Sequence, residues 1–488
     1  MERLASTSIC LYTDIVIPFP GHTRPATMRL TPLLLIPFIA AVTASPARAQ
    51  LRLADALRAA DTRAVANRVA AGDRSARDAQ AIAPLHGILP SARVEASIVR
   101  TDDPIGAFGT ELRQRRIAQA DFDPSRLNFP APVTNYGGGL VLELPLLNTD
   151  AWIARTATMR GASAARASES WTRLSTRADV VRAFYGAVLA TERVTTLDAA
   201  VRAARAHVRD AESLARNGVV TPSDAMLADV KAGELEADLI GARADAALAR
   251  RGLAVLIGGD GNSSVEPAGT IPAAAALRAF AAADTIIAPE ARADVDAARL
   301  GAEASSADVL RTRALLLPRL NAFARTDWND PGRLFAGERN WTAGVMASWS
   351  PFSGASELAE QRGAQARAAG ARAMADGATA NARLESERTL SDLRVALGRL
   401  AIAEHSAAQG MDAHRIVGRR YDGGLATVVE LLDAAAAEVH TATALAKARY
   451  DVVVALASRR LALGLDPGAV ALLESPASNR PTSEDVPR

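Results

Sequence analysis

Glu430 and Asp433 are an acidic pair one helical turn apart. They follow Thr427, and Thr427-Val428-Val429-Glu430 has the spacing of a helix capping box. Thr221, Pro222 and Asp224 repeat the arrangement, with Thr221 as cap, Pro222 at the first helical position and Asp224 as an acidic variant of the box. Other candidate groups are scattered. His86, His207, His405, His414 and His440 stand alone, and His405 and His414 are off the usual ligand spacings, so they read as surface or packing residues. Cys10 is the single cysteine, which excludes an internal disulfide and a Cys-based zinc site. No nucleophile–base pairing and no Gly-rich phosphate loop after a strand is present, so neither an enzyme nor a cofactor is expected. A net charge of +2 gives no reason to invoke nucleic acid.

The elements that position these acids occur twice. Residues 419–464 run from a glycine pair, Gly423-Gly424, through the Thr427 cap and a long helical pattern to Gly464. Residues 217–258 have the same layout between Gly218 and Gly258. Pro145 and Pro351, Gly218 and Gly424, and Gly258 and Gly464 are each 206 positions apart. A period of that size is far beyond solenoid repeats and indicates a duplicated domain.

Each copy reads as helix, strand, loop, strand, long helix, turn, helix. Residues 51–86 look helical, and Ala92, Val94, Ala96 and Ile98 alternate as in a strand. A loop with one short helix is expected over 101–134, then a strand from Tyr136 to Leu144. From Asn148 to Arg216 there is no proline, so one helix of about 100 Å is predicted. After a Gly/Ser/Pro/Ala-rich connector the plan restarts: helix from Pro289 to Leu317, strand from Leu320 to Trp328, loop from Asn329 to Asn340, strand from Trp341 to Pro351, and helices over 354–419 and 427–463. In the last helix, Val428, Leu432, Ala435 and Val439 form one stripe and Leu431, Ala434, Leu445 and Ala448 another, which implies helix neighbours on two sides. Aromatics make up only 4%, so packing must rest on Ala, Leu and Val, as suits long, closely packed helices. The tail from Leu465 reads as disordered at its end.

One alternation is out of step. Carrying Trp341/Ala343/Val345/Ala347/Trp349 back by 206 gives Asn135/Gly137/Gly139/Val141/Glu143, whereas Leu140, Leu142 and Leu144 are the apolar series; a one-residue bulge reconciles the copies. Trp328, Trp341 and Trp349 sit near strand ends and suit either a membrane interface or an ordinary core. Near the start, Met28-Arg29, the apolar run Leu30–Val42 and Ala47-Arg48-Ala49 read as a secretory signal cleaved after Ala49. That run is too short to span a bilayer.

Three segments carry a specific resemblance: Leu214 to Thr221 with its following helix, Tyr421-Asp422-Gly423-Gly424-Leu425 through Glu430 to Ala434 and on to Gly464, and Leu316-Leu317-Pro318-Arg319-Leu320 entering a strand. Over nearly all of residues 51–464 the chain resembles the TolC-like outer membrane efflux protein family. The resemblance implies an α+β membrane protein, internally duplicated, whose long α-helical hairpins form a periplasmic tube. Four strands from each protomer would join a trimeric 12-stranded outer-membrane β-barrel. The segments would be a leader and signal over 1–49, a first outer-membrane-efflux repeat over 50–258, a connector over 259–289, a second repeat over 290–464 and a tail over 465–488.

The implied function is an outer-membrane channel of a tripartite efflux or type I secretion system, a passive exit duct opened by a periplasmic adaptor (membrane fusion) protein and an inner-membrane pump. The protein would be a homotrimer in outer membrane lipid, extending into the periplasm. The family's periplasmic gate maps onto Glu430 and Asp433, with Tyr421 helping to hold the closed state. Threefold symmetry would gather six carboxylates, a ring that favours cations. The adaptor-docking tips map onto Gly218, Val219, Gly423, Gly424 and Leu425. The first position of the family's tip sequence departs here, with Asn217 and Gly423 in place of Val. The alternative is a periplasmic coiled-coil structural or tethering protein without a pore, for which the strands at 89–146 and 317–351 would have no use. No Met- or His-rich stretch points to copper or silver.

Overall fold

The computed structural model describes residues 50–284, 292–352 and 354–474. The expected signal, the start of the helix expected from Pro289 and the end of the tail lie outside the described residues.

The first helical stretch is divided. Helices α1 (Leu53–Arg63) and α2 (Val65–Gln80) meet at Ala64, whose ψ of 134° breaks the helix expected over 51–86. No proline or glycine marks the break. A tertiary contact sustains it: Asn67 donates to the Ala60 carbonyl at 3.0 Å and accepts from Thr176 Oγ1 at 3.0 Å. Strand β1 (Ser91–Thr101) follows. The segment expected to hold one short helix holds two, α3 (Pro104–Arg113) and α4 (Pro124–Asn128). Each begins at an Asp-Pro pair, with Asp103 accepting from Gly106 N and Asp123 from Ser125 N.

Strand β2 (Val133–Leu147) leads into α5 (Thr149–Arg216), 68 residues long, and α6 (Pro222–Leu256), 35 residues. The connector contains a helix the sequence reading lacked, the alanine-rich α7 (Ala274–Ala283). In the second copy come α8 (Ala293–Ala314), β3 (Arg319–Asp330), β4 (Glu338–Ser348), α9 (Ser356–Asp422) and α10 (Val428–Ala462). The loop expected over 329–340 shrinks to 331–337 because both strands run further than their apolar residues. Past Gly464 the chain makes a 3-10 turn, Pro467–Glu474, that buries Val470.

The four strands form one antiparallel sheet in the order β1-β2-β3-β4. Its register divides the side chains sharply, because directly paired residues share a face. Val94, Leu140, Thr326 and Trp341 align across the sheet on one face, as do Ala92, Leu142, Ala324 and Ala343. The other face carries Glu95, Arg325, Asp327, Asn135, Asn329 and Asn340. A register shift between Pro145 and Leu147 leaves Leu146 as the extra residue of β2. This is the bulge that the mismatched alternation required: Leu140, Leu142 and Leu144 share the face of Trp341 and Val345.

Helices α2 and α8 pack beside α5, and α8 also packs on α9. Helix α6 pairs with α5, and α10 packs on α9, α5 and α6. The two-sided packing expected for α10 is therefore present. The main core gathers residues from the middle of α5 and α9, the C-terminal ends of α6 and α10, and α1 and α7. Phe184 and Tyr185 lie at its centre, fully buried. Beside this level Arg292 is buried with its guanidinium between Asp294 and Glu385, 4.4 Å over the Trp171 ring.

Candidate functional site: the two helical tips and the polar face of the sheet

The α5–α6 and α9–α10 turns are built alike. At the first, Val219 N donates to Leu214 O at 2.9 Å and Gly218 has φ +75°. At the second, Leu425 N donates to Arg420 O at 2.7 Å and Gly424 has φ +70°. Both are Schellman closures, in which a left-handed glycine lets the chain reverse over the last carbonyls. Arg420 adds a bond from its guanidinium to Leu425 O at 3.1 Å. Each turn then enters a reciprocal cap. Thr221 and Asp224 exchange bonds of 3.2 and 3.3 Å, and Thr427 and Glu430 exchange bonds of 3.1 and 2.8 Å. Val219 (68% exposed) and Leu425 (73%) project from the turns, and Gly423 closes the C-terminal end of α9.

The two tips are held together. Val428 and Leu432 of α10 bury themselves among Ala204, Val208, Ala225 and Ala228 of the first hairpin, with Tyr421 packed against the same cluster. The Tyr421 ring meets His207 edge-on at 6.2 Å. Burial, with Asp210 and Asp422 nearby, raises the Tyr421 phenol above its ordinary pKa, so it stays neutral. Asp433 faces α6, where Lys231 Nζ lies 3.4 Å from Oδ1 and 3.5 Å from Glu234. Asp433 first, then Glu234, raises the Lys231 ammonium above its ordinary pKa.

Glu430 and Asp433 are thus both engaged within the chain, one by its own helix start and one by a lysine. Less bare negative charge remains at this level than two free carboxylates would give. Lys231 and His207 are the residues the sequence reading missed. A signal existed for the first: among 56 Lys and Arg residues only Lys231 and Lys447 are lysine. His207 belongs to no motif. His414, read as isolated, pairs with Glu438 between α9 and α10. The first hairpin is braced by Arg205, whose guanidinium reaches Glu236 and Asp229; its hydrogen bonds hold the Glu236 carboxyl below the usual range.

At the sheet, the polar face is cross-linked. Arg325 joins Glu95 at 3.2 Å and Asp327 at 2.8 Å, and Arg93 lies 3.5 Å from Glu95. The apolar face projects Val94, Ile98, Trp341 and Val345 outward, all exposed. Arg319 grips Asp150 with two bonds of 3.1 and 2.6 Å, tying the start of β3 to the start of α5. Among the described residues no group of His, Cys, Asp or Glu is arranged to hold a metal ion, and no helix is long and apolar enough to cross a membrane. The arrangement supplies a two-faced sheet and paired helical tips.

Comparison with known proteins agrees with these parts. The family model described as outer membrane efflux protein matches residues 68–259 and 287–465. Among solved structures, the Campylobacter jejuni CmeC outer membrane channel superposes with a TM-score of 0.69 at 16% identity, covering 84% of this chain and 85% of its own. The outer membrane protein VceC of Vibrio cholerae gives 0.67 at 20% identity, with 84% and 96% covered. The open state of the Neisseria gonorrhoeae MtrE outer membrane channel gives 0.66 at 19% identity, with 85% and 89% covered. No curated protein sequence matches the chain.

Proposed function

The chain belongs to the outer membrane efflux protein family, and from that membership we propose that it is the passive exit duct of a tripartite efflux or type I secretion system. One observation carries this reading: an open four-stranded sheet with an exposed apolar face, a cross-linked polar face and two edges, β1 and β4, with no partner strand in the described residues. In a bilayer every backbone N–H and C=O must be satisfied internally, so such a sheet is stable only when strands of other copies close it. Three copies give a twelve-stranded barrel with the apolar face toward lipid and the polar face toward the passage. The long helices then continue the wall into the periplasm. A poreless periplasmic tether would have no use for this sheet.

The second tip is the periplasmic gate in this reading. Glu430 and Asp433 from three copies ring the narrow end, while Lys231–Asp433 and His207–Tyr421 hold each second hairpin against the first. The exposed turns at Gly218-Val219 and Gly423-Gly424-Leu425 offer the adaptor small left-handed corners with one apolar side chain each. In this reading the driving energy comes from the inner-membrane pump.

The test uses Glu430→Gln with Asp433→Asn. Gln retains the capping bond while both charges are removed. In planar bilayers the double variant should leak more and lose preference for cations. Unchanged conductance and selectivity would remove these residues from the gate.

A further inference from the structure

The two hairpin loops of the sheet differ greatly in size: residues 102–132 join β1 to β2, and 331–337 join β3 to β4. The long loop is a folded unit. Helix α3 is capped by Asp103, α4 by Asp123, and Phe108 meets Phe122 edge-on at 5.9 Å. Its attachments to the sheet all fall on one face. Gln114, at the end of α3, is 5% exposed and donates from Nε2 to Thr134 O at 3.0 Å and to Asn135 Oδ1 at 2.9 Å. Asn135 in turn donates to Asn329 Oδ1 at 2.9 Å. Arg115 pairs with Glu338 at 3.0 Å, and Asn340 donates to Arg113 O at 3.5 Å.

Asn135, Asn329, Glu338 and Asn340 belong to the polar face by register. The loop therefore crosses from β1 to β4 over that face, at the end of the sheet remote from the helices. The short loop sends its aromatic the other way: Phe335 covers Gly138 and stacks edge-on with Trp328, both on the apolar face. The polar attachments of the long loop are thus not a general collapse of loops onto the nearest surface.

We infer that residues 102–132 form a cap over the outer mouth of the passage, latched by Gln114 onto Asn135 and Asn329, and that this cap limits the size of solutes crossing the outer end. The inference rests on the polar face being the passage wall. Three copies would bring three such caps toward the axis, giving a constriction separate from the periplasmic tips. Gln114 Oε1 is buried and meets no donor among the described residues.

The test is labelling from outside intact cells that express the full chain carrying Thr342→Cys, on the polar face of β4. The sequence's one cysteine, Cys10, is removed by Cys10→Ser, so this thiol reports alone. A small maleimide should react quickly and a polymer-coupled maleimide roughly tenfold more slowly, as for any pore narrower than the reagent. Gln114→Ala, or replacement of 104–128 by a short Gly/Ser link, should bring the two rates together. Arg115→Glu should do so in part, and adding Glu338→Arg should restore the difference, which guards against a folding defect in the shortened chain. Equal rates with the loop intact would overturn the cap. Failure of even the small reagent to react would instead overturn the polar face as passage wall, and the duct reading with it.

Discussion

Lys231 shows how a single side chain changes the meaning of its neighbours. Alone, Asp433 is a carboxylate at the entrance of a helix; beside Lys231 it ties α10 to α6. The ammonium of Lys231 has a raised folded pKa, so its stabilising contribution is fully present below the ordinary lysine range and disappears only as pH rises through the raised value. The tie therefore persists across neutral pH. Lys231→Ala should speed backbone hydrogen exchange in residues 428–435 at neutral pH, and exchange no faster than in the parent chain would show that the pair contributes nothing to holding the tip. Glu236 has the opposite sign. Arg205 depresses its folded pKa, so that contribution is present above the ordinary carboxylate range and is lost as pH falls through the lowered value. The α5–α6 brace should loosen only in acid, read by the same exchange measurement on residues 200–240. Glu430 was legible as a capping acid from its spacing to Thr427, because a cap is made within four residues. The partners of Asp433 and Tyr421 were not, because Lys231 and His207 lie on the other hairpin, about two hundred positions away in the chain.

At the scale of elements, the paired turns explain why glycine stands at 218 and 424. An ideal Cβ built at either position meets no atom within 4 Å, so crowding is not the reason. The positive φ is, and an ordinary side chain there costs roughly 1–2 kcal/mol, with Asn tolerated better than a β-branched residue. Gly424→Val should leave assembled oligomers extractable but abolish efflux complementation, whereas Gly424→Asn should keep both. Normal efflux in the valine variant would refute a docking role for this corner. The long helices were legible because 68 residues without proline leave little alternative. The break at Ala64 was not, since nothing local forbids helix there and the stabilising partner, Thr176, is on α5. One of the two helices in the first hairpin loop was expected, but the connector helix α7 was not, because no side-chain cap marks its start.

For the whole molecule, the open sheet sets the terms. Its apolar face and its two edges, unpaired among the described residues, favour closure, while the helices α5, α6, α8, α9 and α10 pack side by side. A detergent-extracted sample should migrate as a heat-modifiable trimer, shifting to monomer on boiling. A soluble monomer without β-structure would contradict the barrel. The register also separates two faces: charged pairs such as Arg325–Glu95 and Arg319–Asp150 lie on the polar face or where strands join helices, and the exposed apolar side chains lie opposite.

The sequence by itself determined the duplication, the helix lengths, the glycine turns with their caps, and the presence of four strands. All of these rest on short-range physics: periodicity, proline and glycine torsions, and bonds that close within one turn. A one-residue bulge was also implied, because two copies with opposite alternation must differ by one residue; its place at Leu146 came from the structure. Only the tertiary structure decided which residues meet between elements distant in the chain. Lys231 with Asp433, His207 with Tyr421, Asn67 with Thr176 and Gln114 with Asn135 join elements whose spacing in the chain carries no information about their distance in space. Long-range pairing depends on the register of packed helices and strands, which the whole fold sets at once, and the partners of the acids and of the first loop were therefore visible only when the chain was folded.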